Sequence, residues 1–145
     1  MAINNIVDES FIINQKKLKQ FGDRCSNVKI GIMGGTFDPI HYAHLATAEF
    51  IRDNYKLDKI LFIPSGNPPH KKGNITDKYD RYNMVLLSTV NNDDFIVSDI
   101  EIKREKSTYT IDTLKVLKQI YKNAEIYFIT GADAICDIET WKDVE

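Results

Sequence analysis

Two histidines three residues apart, His41 and His44, follow a pair of adjacent glycines, Gly34 and Gly35, in the stretch KIGIMGGTFDPIHYAHL. Imidazoles at that spacing on a helix start lie on one face and point with the unpaired N–H groups of the first turn. Such a helix end carries partial positive charge and attracts anions, so two imidazoles beside it could grip one phosphate. The glycines alone serve equally well as a tight strand-to-helix turn. Their spacing matches neither the dinucleotide fingerprint nor the phosphate loop with its Lys-Ser/Thr pair. A zinc centre is the competing chemistry, but it needs a third ligand, the only other histidine is His70, and H-E-x-x-H is absent. One capping and one packed histidine is the ordinary structural use of such a pair; the Gly-Gly turn and Asp38-Pro39 take weight from it.

These residues need a frame, and the surrounding pattern supplies one. VKIGIM reads as a buried strand, and Leu45, Ala48, Ile51 and Tyr55 recur at helical spacing after the glycine turn. KILFIP (Lys59 to Pro64) is a second strand, and SGNPPHKKGN after it is a loop held out of regular structure by its prolines and glycines. A helix carries Tyr82, Val85, Leu86 and Thr89, FIVSDIEI is strand-like, a further helix carries Ile111, Leu114, Leu117 and Tyr121, and EIYFIT runs into GADAI. Alternation of this kind predicts an α/β fold, a Rossmann-like parallel sheet with helices on both faces in a single domain. Ligands of such sheets gather beyond the carboxyl ends of the strands, which marks Gly34 to His44, Ser65 to Lys72 and Gly131 to Asp133. Residues 1–27 read as an N-terminal extension, in which Asp8, Glu9 and Ser10 could start a helix carrying Phe11, Leu18 and Phe21 although polar residues break the apolar period, and residues 28–145 as the domain.

Composition narrows the classes. At 145 residues there is room for one ordinary core. With 43% hydrophobic and 28% charged residues and a net charge of −2, nothing draws the chain globally to nucleic acid or an anionic membrane. Cys25 and Cys136 lie far apart without metal-ligand spacing, and MAINNIVDESFIINQKKLKQ has neither the n- and h-regions of a signal peptide nor a membrane-length apolar run. The expectation is a cytoplasmic protein with no nucleic-acid or membrane partner; a homo-oligomer is left open.

GGTFDPIHYAHL resembles the signature of the nucleotidyltransferase superfamily, whose H-x-G-H or T-x-G-H element handles nucleotide phosphates. The segments IPSGNPPHKK, STYTIDTL and GADAICDIETW resemble, in order, those of bacterial nicotinate-nucleotide adenylyltransferases, and the similarity runs from about Lys29 to the last residue. Two departures accompany it. Ala43 stands where H-x-G-H has glycine, and the family pattern continues past WKDVE with a strand, a helix and a Ser-Thr segment with a downstream arginine. A chain ending at Glu145 is therefore expected to lack part of the ATP site and to leave a sheet edge unpaired.

The resemblance implies attack of the 5′-phosphate of nicotinate mononucleotide on the α-phosphorus of ATP, giving deamido-NAD and pyrophosphate, with Mg²⁺ carried by ATP. Alignment and charge stabilisation would do most of the work. It implies His44 as donor to the α-phosphate, His41 at the triphosphate, Lys71 at the pyrophosphate or mononucleotide phosphate, and Gly34, Gly35, Thr36, Phe37 and Asp38 around the nucleotide. Trp141 would stack on the nicotinate ring, where otherwise a core or edge aromatic is the simpler reading. Thr108, Tyr109 and Thr110 would meet the nicotinate carboxylate, although Tyr109 could simply pack at a helix start. Gly131 and Asp133 open a helix at a strand end, where Asp133 serves equally as a ribose ligand or a cap. An alternative of another class is a nucleotide-binding module without turnover.

Overall fold

The computed structural model describes residues 2–23, 27–67, 73–106 and 109–131. Along the chain the elements are α1 (Ala2–Gly22), β1 (Lys29–Gly35), α2 (Tyr42–Asn54), β2 (Lys59–Pro64), α3 (Lys78–Thr89), β3 (Phe95–Val97), α4 (Thr110–Ile120) and β4 (Glu125–Ile129). The four strands form one sheet in the order β3-β2-β1-β4, and every pairing is parallel. The α/β expectation holds, including helices on both faces. Because β2 and β3 lie on one side of β1 and β4 on the other, the strand order reverses between β1 and β4. A crevice outside their carboxyl ends follows from that reversal.

Period-two alternation divides the strands between two cores. Met33, Ile60, Phe62, Phe95, Val97 and Ile129 face one way and meet Ala48 of α2 and Tyr82, Val85 and Leu86 of α3. Ile30, Ile32, Leu61, Ile63 and Ile96 face the other and meet Phe21 of α1 and Leu117 of α4. Gly31 points toward the first core, where a Cβ would fall 2.7 Å from Ile60 Cδ1 and 2.9 Å from Leu57 Cδ1. Glycine makes room there for two larger neighbours.

Two expectations need correction. Within the N-terminal stretch set apart as an extension, Ala2–Gly22 form helix α1, and the helix is docked on the body of the fold, with Phe21 buried and Asn14 4% exposed. Asn14 Nδ2 donates to the Val97 carbonyl at 3.0 Å, and Val97 N–H donates to Asn14 Oδ1 at 2.9 Å, so one side-chain amide pairs the open edge of β3 as another strand would. Lys17 Nζ lies within 2.9 to 3.2 Å of the carbonyls of Thr89, Val90, Asn92 and Phe95, closing the end of α3 and the turn beyond it. The second correction concerns FIVSDIEI, which is strand only over Phe95–Val97. Ser98 Oγ accepts from Ile100 N–H, Lys103 N–H donates to Asp99, and the alternating apolar residues that follow Ser98 belong to a turn.

Candidate functional site

All four strands present their carboxyl ends on the same side, because all run parallel. β1 ends at Gly34 and Gly35. A Cβ on Gly34 would meet nothing nearer than Ile63 O at 3.9 Å, so the space over this strand end is open to another group. The chain then turns through Phe37, whose φ of 49° is in the left-handed region, to a cis Asp38–Pro39 bond and the start of α2. Phe37 is 4% exposed and packs edge-on against His44, with centroids 5.1 Å apart, and against Phe62 below. Its ring is a buried floor, and it props the histidine.

His41 is the N-cap of α2 with extended backbone, and its N–H donates to His44 Nδ1 at 3.1 Å. That acceptor role leaves Nε2 to carry the proton of a neutral imidazole, so His44 offers an N–H on its far side. The two rings stack with centroids 3.8 Å apart. Burial, and secondarily the neighbouring His41, hold the His44 pKa below its ordinary value. The pair is thus two imidazoles set together at the positive end of a helix, one of them kept neutral. A hydrogen-bond donor aimed at an anion suits that state.

The second strand end is tied to the first. Ser65 N–H donates to Gly35 O at 2.8 Å, and Thr76 N–H donates to Asp38 Oδ2 at 3.0 Å. Asp77 caps α3, accepting from Tyr79 and Asp80 N–H. Gly66 faces the Glu101 carbonyl so closely that a Cβ would collide with it. Asn67 Nδ2 donates to the carbonyls of Arg104 and Glu105, and Lys78 Nζ to that of Arg104. Thr113 of α4 donates to Glu101 Oε2 at 3.0 Å and accepts from Arg104 Nη1 at 3.2 Å. The turn after β3 is in this way clasped between the β2 loop and α4. A cavity of about 380 Å³ opens among Gly66, Asn67, Thr76, Lys78 and Arg81.

Of the residues singled out from sequence, the fold brings together Gly34, Gly35, Thr36, Phe37, Asp38, His41 and His44 on one strand-loop-helix unit. Tyr109 is the N-cap of α4 and Thr110 its first residue, and Gly131 is an exposed residue just past β4. Lys71, Thr108, Asp133 and Trp141, with His70, Lys72, Cys25 and Cys136, lie outside the described residues. Among the described residues no group of three or more His, Cys, Asp or Glu side chains is placed to hold a metal ion, and no helix is long and apolar enough to cross a membrane. Sequence reading missed Arg81, Asn67 and the Glu101, Arg104 and Thr113 cluster. Arg81 had a usable signal, since it falls one and two helical steps of four from buried Val85 and Thr89, a charged residue on an apolar stripe.

Comparison with known proteins points the same way. Residues 32–145 match the cytidylyltransferase-like family. A protein of Thermoanaerobacter sp. (strain X514) carrying the name "Probable nicotinate-nucleotide adenylyltransferase" is 58% identical over 120 residues, covering 81% of this chain and 57% of its own. One of the same name from Desulfitobacterium hafniense (strain Y51) is 54% identical over 118 residues, with the same coverage. A solved Plasmodium falciparum nicotinic acid mononucleotide adenylyltransferase complexed with NaAD superposes with a TM-score of 0.72 at 30% identity, covering 81% of this chain and 58% of that one. The chain spans a little over half the length of these relatives.

Proposed function

The chain belongs to the cytidylyltransferase-like family, and from that premise we propose that it transfers the adenylyl group of ATP to nicotinate mononucleotide, forming deamido-NAD and pyrophosphate. The observation that carries this reading is the His41–His44 pair at the start of α2, beside the open strand end at Gly34, in a chain more than half identical to relatives named for that activity. In the proposed reaction the mononucleotide's 5′-phosphate oxygen bonds to the α-phosphorus and the bond to the β-phosphate bridging oxygen breaks. His44 Nε2–H donates to an α-phosphate oxygen as its charge grows, and the first N–H groups of α2 and His41 meet the triphosphate. No covalent intermediate on the chain is needed.

Lys71 is proposed at the phosphates, Trp141 on the nicotinate ring, Thr108, Tyr109 and Thr110 at its carboxylate, and Gly131 and Asp133 at the ribose. Mg²⁺ is proposed to arrive on ATP, held by phosphate oxygens and water. The reaction is assigned to the cytoplasm. A second reading is a nucleotide-binding unit without turnover, in which the same His41–His44 pair and the open strand end at Gly34 hold ATP without transferring its adenylyl group.

The test is pyrophosphate release by the purified chain with Mg-ATP and either nicotinate or nicotinamide mononucleotide, beside direct measurement of ATP binding. Release that requires nicotinate mononucleotide supports the transferase. ATP binding without release supports the second reading, and absence of both overturns the nucleotide site.

A further inference from the structure

Arg81 has no part in the chemistry proposed for His41 and His44, yet it is among the most buried side chains of the fold, 1% exposed. Removing a guanidinium from water is costly unless its donors are satisfied. Here every partner is a main-chain carbonyl. Nε donates to Thr76 O at 2.8 Å, Nη1 to Thr36 O at 2.7 Å and to Ser65 O at 2.7 Å, and Nη2 to Gly66 O at 3.2 Å. Thr36 follows β1, Ser65 and Gly66 follow β2, and Thr76 precedes α3. One planar fork therefore ties three segments that meet only at the carboxyl end of the sheet.

The choice of arginine follows from the geometry. Five N–H donors spread in a rigid plane reach carbonyls on several sides at once, whereas an ammonium concentrates three donors at one point. Charge is the second consequence. Among the described residues Arg81 forms no direct ion pair, and Asp38 and Asp77 act on it only at longer range. Carbonyls solvate the cation without neutralising it, so its charge sits beneath the loop that runs from Gly34 to Asp38, offset only through space by the Asp38 and Asp77 carboxylates. A buried charge in low dielectric acts over a longer range than an exposed one.

We propose that Arg81 is a positioning residue that locks the loops after β1 and β2 into the shape that seats the phosphates of ATP and supplies that seat with a buried positive charge. The seat itself rests on the nucleotide reading above; the locking of the loops does not.

The experiment compares the full chain with Arg81→Lys and Arg81→Met by calorimetric titration with Mg-ATP and by amide hydrogen exchange. Arg81→Lys keeps the charge and loses the fork. It is expected to weaken ATP binding about tenfold or more, as small displacements of positioning groups do, and to speed exchange over residues 34–38, 65–67 and 73–77 while Leu61 and Phe62 of β2 stay protected. Arg81→Met loses both and is expected to bind ATP more weakly still. Unchanged ATP affinity together with unchanged loop exchange in Arg81→Lys overturns the proposal. A wild-type chain that binds no ATP overturns the nucleotide reading and the seat with it, and loop exchange then decides the locking separately. Should both variants fail to fold, the wild-type chain still decides: the Arg81 Nε–H resonance is expected to exchange slowly and to shift on adding Mg-ATP, and a fast-exchanging or unmoved resonance counts against the role.

Discussion

His44 accepts at Nδ1 the backbone N–H of His41, 3.1 Å away, so the helix's own N-cap residue orients the imidazole that faces the candidate phosphate site. With Nδ1 occupied, only Nε2 is left to donate outward. Removing a donor aimed at a transition-state oxygen typically costs about 3–4 kcal/mol, so His44→Ala is expected to lower turnover by about 100-fold or more. ATP binding should change far less, because the bond strengthens only as charge develops. Single-turnover kinetics beside ATP titration separate the two, and near-normal turnover would remove His44 from the mechanism.

The same environment makes stability depend on pH. Burial and the nearby His41 lower the His44 pKa in the folded chain. As pH falls below about 6.5 the unfolded chain takes up this proton before the folded one does. Stability from the neutral ring is thus complete above that value and is lost as pH drops through the lowered folded pKa. Urea unfolding from pH 7.5 to 5 should show a falling midpoint in the wild-type chain and a flatter profile in His44→Gln. A His44 ring-proton titration with an unshifted midpoint would contradict this.

What the sequence disclosed and what it hid divide on a physical line. β2 has the bounds read from KILFIP, and α3 buries Tyr82, Val85, Leu86 and Thr89 as their spacing requires, because apolar period reports burial directly. The unit from Gly34 to His44 was legible for a different reason: its residue types are scarce and sit close together in sequence. The burial of Arg81 had a signal in its place on the apolar stripe, but the partners of Arg81, Asn14 and Asn67 were not legible, since each is polar and most of the carbonyls and amides that hold it lie 15 to 83 residues away. Period alone treats such residues as breaks. In α1, Ser10, Asn14 and Lys17 interrupt the apolar stripe that Leu18 and Phe21 continue, and all three turn out to be hydrogen-bonded.

Asn14 gives that point a measurable form. Its amide satisfies both the N–H and the carbonyl of Val97 on the outer edge of β3. Asn14→Leu keeps the volume and leaves two buried backbone groups without partners, at about 1–3 kcal/mol for each. The urea midpoint should fall accordingly, and Val97 N–H should lose protection from exchange ahead of the β1 and β2 amides. An unchanged midpoint would mean that α1 is held by Phe21 and its neighbours alone.

Two glycines are expected to respond differently to the same methyl group. At Gly31 the added Cβ meets the ends of Ile60, Leu57 and Ile129, which can rotate or shift, so Gly31→Ala should cost about 1–3 kcal/mol of overpacking. At Gly66 it meets the backbone carbonyl of Glu101, which cannot yield without moving the turn after β3. Gly66→Ala should therefore be the more damaging change. It should also loosen the Asn67 contacts to Arg104 and Glu105, seen as faster exchange over residues 101–106, whereas Gly31→Ala should leave those amides alone.

Tyr82 offers a change in the opposite direction. Its hydroxyl is buried beneath α3 and finds no hydrogen-bond partner among the described residues, and burial, with a smaller push from Asp99, raises the phenol to about 12. Tyr82→Phe removes an unsatisfied polar atom without opening a large cavity, so stability at neutral pH should be unchanged or higher by up to about 1 kcal/mol. The sign reverses in alkali. An unfolded tyrosine ionises near pH 10 while the folded one holds its proton, so the wild-type chain loses stability as pH climbs from about 10 toward the folded value. The phenylalanine variant lacks that loss from this position, and its advantage over wild type should widen between pH 9 and pH 11. Parallel urea titrations at those two pH values check it: a constant gap between the two proteins would mean that the hydroxyl is solvated or partnered in solution, and that Asp99 and the core around Tyr82 do not hold its proton.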